Sequence, residues 1–180
     1  MSDDPGLRDL LARVAARDRN DPHDAVVRQI VRLRARDACE YCLHPTAGQF
    51  EIDHVIPGGL WTGYVAGRLT AALRPVAGRR GPDHLDNVAW SCPFCNVGKR
   101  QRVTHRIGGE AARLFDPRHD TWAEHFRFMN NYLFIVGITP IGVATQRILS
   151  LNAGDIGGPL GMRHDSVVAG RYPPPWIVQP

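Results

Sequence analysis

Four cysteines and the Asp53-His54 pair hold most of the chemistry open to this chain. The cysteines form two CxxC pairs, Cys39 and Cys42 in "CEYC" and Cys92 and Cys95 in "CPFC", with none left over. Each CxxC knuckle bends the backbone so that both thiolates face one ion, and two knuckles complete a tetrahedral four-thiolate site suited to structural zinc. In a reducing compartment zinc is favoured over two disulfides; a redox CxxC and free thiols are the alternatives. His44 follows Cys42 by two residues and is a substitute ligand on paper. Beside a complete set it reads as a surface residue or a group supporting the ligands.

Between the knuckles, "QFEIDHV" places Asp53 next to His54, and Asn96 follows the second knuckle at once. If the cysteines close on one ion, the segments bearing Asp53, His54 and Asn96 are tied to it and meet in one small site. Taken singly these residues say little: an Asp-His dipeptide at a strand end is common, and Asn96 also suits a helix cap.

The elements that must position them follow from periodicity and caps. In "NDPHDAVVRQIVRLRARDA", Asp21 as N-cap, Pro22 as first helical residue and Val26, Val27, Ile30 and Val31 at helical spacing predict a helix over 22–36. Arg28, Arg32, Arg34 and Arg36 lie along it and read as a solvated face rather than a phosphate-binding one. The preceding twenty residues are expected as a short, loosely attached helix. A strand is predicted over 49–55, ended by Pro57-Gly58-Gly59, then a long loop with a short helix over 65–73. "GPDHLDN" makes a turn, "VAWS" a brief strand, and a helix over 93–103 begins inside the second knuckle. Downstream, a helix capped by Asp120 or Thr121 runs through "WAEHFRFMN", "YLFIVGI" is a strand, and Thr139-Pro140 opens another helix. The Gly- and Pro-rich end is expected to be extended or held against the domain by Trp176.

The chain has 180 residues, enough for one compact domain with its own core. Its formal charge is +4 with a pI near 9.2, and Lys99 is the only lysine. Guanidinium forks hold phosphate in bidentate fashion, so the balance favours nucleic acid as partner; a GC-rich genome explains the arginine count equally well. The acidic opening "MSDDPGLRDL" has no signal-peptide stretch, and no run of about 18 apolar residues occurs. A cytoplasmic protein without a membrane partner is expected.

Taken together, "CEYC", "IDHVIP", "GPDHLDN" and "CPFCNVGK" resemble the zinc-containing HNH endonucleases across residues 39–102. "LFDPRHDTWAEHF", "IVGITPIGVAT" and "LSLN" are similar to the downstream half of a bacterial HNH subgroup. The resemblance implies an α+β fold: a ββα-metal, treble-clef-like zinc-finger core with flanking helices. The parts would be an N-terminal flank 1–20, a nuclease core 21–104, a helix-strand-helix extension 105–152 packed on the core, and a tail 153–180. It further implies hydrolysis of DNA phosphodiesters with RNA left open, His54 as general base, and Asn87 orienting His54 through backbone bonds. Asp53 and Asn96 would hold a catalytic Mg²⁺ or Mn²⁺, the ions such oxygen ligands favour, beside the structural Zn²⁺ on Cys39, Cys42, Cys92 and Cys95. Lys99, Arg100, Arg79 and Arg80 are the expected nucleic-acid contacts. One departure is the span from His54 to Asn87, whose 32 intervening residues include "LWTGYVAGRLTAALRPVAGRR". Arg68, Arg74, Trp61 and Tyr64 there suit DNA, a packing insert or a flap. The rivals are a zinc-bearing nucleic-acid-binding module that does not cut, and a protein-binding zinc module.

Overall fold

Helix α1 (Pro5–Ala15) lays Leu7, Leu10 and Val14 against Val27, Ile30 and Val31 of helix α2 (Ala25–Arg34), burying all six. The flank is therefore a docked helix rather than a loosely attached one, because its apolar residues recur at helical spacing. The computed structural model describes residues 5–15, 21, 23–45, 49–73, 75, 79–154 and 157–177. α2 starts later than predicted. Asp24, not Asp21, is its cap, accepting from the N–H groups of Val26 and Val27 at 2.8 and 3.3 Å. Asp21 instead accepts from the His23 N–H at 2.8 Å, and Pro22 lies outside the described residues. The helix gives out before residue 36 because Arg36 and Asp37 take φ of 53° and 57°.

Strand β1 (Glu51–His54) pairs antiparallel with β2 (Val88–Ser91), opposing Glu51 to Ser91, Ile52 to Trp90, Asp53 to Ala89 and His54 to Val88. Between them in sequence a 3₁₀ turn, Gly58–Leu60, leads into α3 (Trp61–Val65). That helix comes earlier than the predicted 65–73 because Tyr64, 2% exposed, plugs a small core of Ile56 and Leu73. Helix α4 (Pro93–Lys99) follows β2 and packs on β1; it is shorter than predicted, ending at Arg100 with φ 50°. The ribbon is thus sandwiched: Val88 and Trp90 join the α1–α2 cluster, while Ala89 joins the cluster around the cysteines.

The segment predicted as helix-strand-helix contains two hairpins. β3 (Thr104–Ile107) and β4 (Glu110–Arg113) turn at Gly108-Gly109, whose φ of 58° and 93° suit a two-residue hairpin loop. α5 (Trp122–His125) lasts one turn. It yields to β5 (Phe126–Met129), paired with β6 (Phe134–Gly137), because Phe126 and Phe128 alternate inward with exposed Arg127 and Met129. α6 (Pro140–Ile148) starts as predicted, with Thr139 Oγ1 accepting from the Gly142 N–H at 3.1 Å. The tail is not simply extended: α7 (Pro159–Val168) buries Arg163, whose guanidinium donates to the carbonyls of Leu133 and Leu151 at 2.8 and 2.6 Å. Tyr172 donates to the Cys42 carbonyl at 2.8 Å, so one hydrophobic cluster runs from Cys39 to Tyr172. The described residues form a mixed α+β fold with seven α-helices and three two-stranded antiparallel sheets. None of these helices is long and apolar enough to cross a membrane.

Candidate metal centre and hairpin site

The knuckles close as their spacing demands. Cys92 caps α4, its sulfur accepting from the Cys95 N–H at 3.5 Å, and Leu43 N–H returns to the Cys39 carbonyl at 2.8 Å. The four sulfurs lie within 4.8 Å of one another and all four cysteines are buried. Tetrahedral zinc with bonds of about 2.3 Å separates its sulfurs by about 3.8 Å; Cys42 and Cys92 Sγ are 3.9 Å apart. The residues therefore fit a zinc ion. Hydrogen bonds from Cys39, Cys92 and Cys95 hold the Cys42 thiol well below its ordinary value, while the same crowding and burial push Cys95 well above. His44 is no surface residue: it is 6% exposed, bonds Ser166 Oγ at 2.8 Å, and stacks on Tyr172. Burial lowers its pKa.

Asn87, fully buried, ties the ribbon to the loop before it. Its Oδ1 accepts from the Ile56 N–H at 3.0 Å and from Arg79; its Nδ2 donates to the carbonyls of Ile56 and Pro82, both at 2.8 Å. Those contacts lie beside His54 and Asp83 in sequence. His54 Nε2 meets Asp83 Oδ1 at 3.0 Å, with the histidine side chain 31% exposed. Asp83, inside "GPDHLDN", was not picked out from the sequence; its position ahead of Asn87 was the available signal, but a pairing across 29 residues leaves no periodic mark.

Asp53 and His54, adjacent in β1, point to opposite faces. Asp53, 4% exposed, faces α4, where Lys99 Nζ reaches its Oδ1 at 3.0 Å and the His54 carbonyl at 2.6 Å. The Tyr41 hydroxyl donates to Oδ2 at 2.5 Å. Burial pushes the Asp53 carboxyl up against the pull of Lys99, and burial beside Asp53 raises Tyr41 well above its ordinary value. Asn96 does not join this carboxylate; its Nδ2 donates to the exposed Glu51, two residues earlier in β1. The Mg²⁺ or Mn²⁺ site expected on Asp53 and Asn96 therefore does not fit these residues as arranged. Among the described residues, the four cysteines are the one cluster of three or more His, Cys, Asp or Glu side chains close enough to share an ion.

Two of the four expected nucleic-acid contacts turn inward. Lys99 is 1% exposed, and Arg79 is buried on Asn87, Asp116 and His119. Each is drawn in by a buried carboxylate, Asp53 for Lys99 and Asp116 for Arg79. Arg80 and Arg100 stay exposed, Arg80 lying 3.7 Å from Asp86. In the insert Tyr64 packs beside Trp61 with ring centres 5.6 Å apart, Arg68 is exposed, and Arg74 lies outside the described residues.

No family model, no curated protein and no solved structure matches this chain.

Proposed function

We propose that the chain is a phosphodiesterase of nucleic acid in the manner of the HNH endonucleases it resembles, with His54 as general base. The carrying observation is the 3.0 Å contact between His54 Nε2 and Asp83 Oδ1 on a half-exposed histidine. With Nε2–H donating to Asp83, the Nδ1 lone pair is left to accept a proton. A water losing its proton to Nδ1 attacks phosphorus as the bond from phosphorus to the 3′ oxygen breaks; that oxygen leaves and takes a proton from solvent, and the imidazolium formed at His54 is stabilised by the Asp83 carboxylate. Asn87 supports this geometry by holding the backbone next to both residues. Arg80, exposed on the loop that carries Asp83, is available to the phosphate. Zinc on the four cysteines would lock the ribbon against α4 and take no part in the reaction.

Supercoiled plasmid incubated with the protein under Mg²⁺, under Mn²⁺ and with EDTA, in parallel with His54→Ala, tests this reading. Nicking by the parent and a fall of about 10²- to 10⁴-fold in the variant are expected. Equal nicking by both overturns it. A second reading, the zinc module that binds nucleic acid without cutting it, is favoured by one observation: Tyr41 and Lys99 occupy both oxygens of Asp53. No nicking under any condition, with DNA binding retained, is its outcome.

A further inference from the structure

The four arginines of the segment predicted as one helix, Arg28, Arg32, Arg34 and Arg36, part company in the fold. Arg34 turns inward and donates to the carbonyls of Leu85 and Val88 at 2.8 and 2.6 Å, and Arg36 lies over the Trp176 ring, 5.3 Å from its centre. Arg28 and Arg32, one helical turn apart, instead line an open groove of about 990 Å³ together with Arg171 from the far end of the chain. Its floor is the stacked pair Phe50 and Trp90, ring centres 5.0 Å apart, with Arg28 over Trp90 at 5.3 Å. Asp37, on Arg32, is the one carboxylate among the lining residues. Trp90 is 6% exposed, and its Nε1–H is a buried donor without a partner.

We infer that this groove is a track for the phosphodiester backbone of the nucleic acid, running away from the hairpin site. The inference rests on the proposed function for its partner class. Three guanidiniums against one carboxylate favour a polyanion, and planar forks suit phosphate oxygens. Register places it: Trp90 opposes Ile52 and Val88 opposes His54, so Trp90 and His54 share one face of the ribbon, two residues apart along the strand. Along the strand direction that offset is about 7 Å, on the order of one phosphate step of a nucleic-acid backbone. A strand with one phosphate at His54 would lay further phosphates of the same backbone along Arg28, Arg32 and Arg171.

The test is the salt dependence of binding to labelled single-stranded and duplex oligonucleotides, in chains carrying His54→Ala so that nothing is cut. Relative to that parent, adding Arg32→Gln and Arg171→Gln lowers the slope of log K against log salt by about 0.9 per lost contact on duplex and about 0.7 on single strands. The arm with the larger loss of affinity identifies the form bound. Zinc content and melting temperature stay unchanged, and Arg171→Gln alone gives half the effect. Arg106→Gln with Arg127→Gln, exposed positions outside the groove, is the charge-matched control and leaves the slope unaltered. An unaltered slope in the groove variant, an equal fall in the control, or no binding by the parent overturns the track. Binding with the expected slopes by a wild-type chain that never nicks plasmid removes the nuclease reading and leaves the groove standing.

Discussion

Lys99 Nζ sits 3.0 Å from Asp53 Oδ1 with both side chains buried, one 1% and the other 4% exposed. The chain's single lysine thus neutralises the carboxylate that sequence resemblance assigns to a metal ion. A buried pair of this kind is costly to break from one side, because the remaining charge loses its partner inside the protein.

Lys99→Met is therefore expected to destabilise by about 3–5 kcal/mol, and Asp53→Asn with Lys99→Met by less than either change alone. Urea unfolding of the two single variants and the double checks this. If Asp53 takes a divalent ion in solution, Lys99→Met also strengthens Mn²⁺ binding, read by electron paramagnetic resonance. Additive losses with unchanged Mn²⁺ binding would show the pair to be uncoupled.

Cys95→Ser opens the four-sulfur cluster. Structural zinc contributes on the order of 10–16 kcal/mol of apparent binding energy in small modules, so the variant is expected to lose zinc and unfold at room temperature. Metal analysis of protein purified without chelator should give one zinc per chain. Metal-free protein with an unchanged melting temperature for Cys95→Ser would falsify the zinc framework.

Asp83→Asn keeps the shape of the pair with His54 but removes the charge that stabilises an imidazolium. Nicking should fall by about tenfold or more with zinc content unchanged. Asn87→Ala should be both slower and less stable, since four hydrogen bonds of its buried side chain disappear. An Asp83→Asn enzyme with the parental rate removes the dyad from the mechanism.

Asp120 offers a pH test away from the site. Burial works to raise its carboxyl, but the Arg113 fork at 2.5 and 2.6 Å and the Asp116 N–H at 2.8 Å outweigh it and hold it below the ordinary range. A depressed folded-state value stabilises the protein above the unfolded value of about 4 and loses that stabilisation as pH falls through the folded one. Asp120→Asn should thus cost about 1–3 kcal/mol at pH 7. The gap between variant and parent should narrow below about pH 4 in urea titrations at several pH values. A gap independent of pH would mean that the cost is packing alone.

Short-range signals were legible in the residues themselves. Two CxxC pairs predict the sulfur cluster because each knuckle closes on itself, and Thr139-Pro140 marks the start of α6 because a cap needs only its own next turn. The second strand, "VAWS", was legible for its short apolar run between turn residues. Tertiary structure decided the rest. Four arginines at helical spacing look alike until α2 docks on the ribbon and turns Arg34 inward while Arg28 and Arg32 stay on the groove. The tail looked too rich in Gly and Pro to contribute, yet Arg163 and Tyr172 find backbone carbonyls left open by other elements. The partner of Asp53 turned on the same kind of choice. Lys99, Asn96 and a metal ion are equally compatible with its local sequence, and the register of α4 against β1, across 46 positions, brings the ammonium to that buried carboxylate and sends the amide to Glu51.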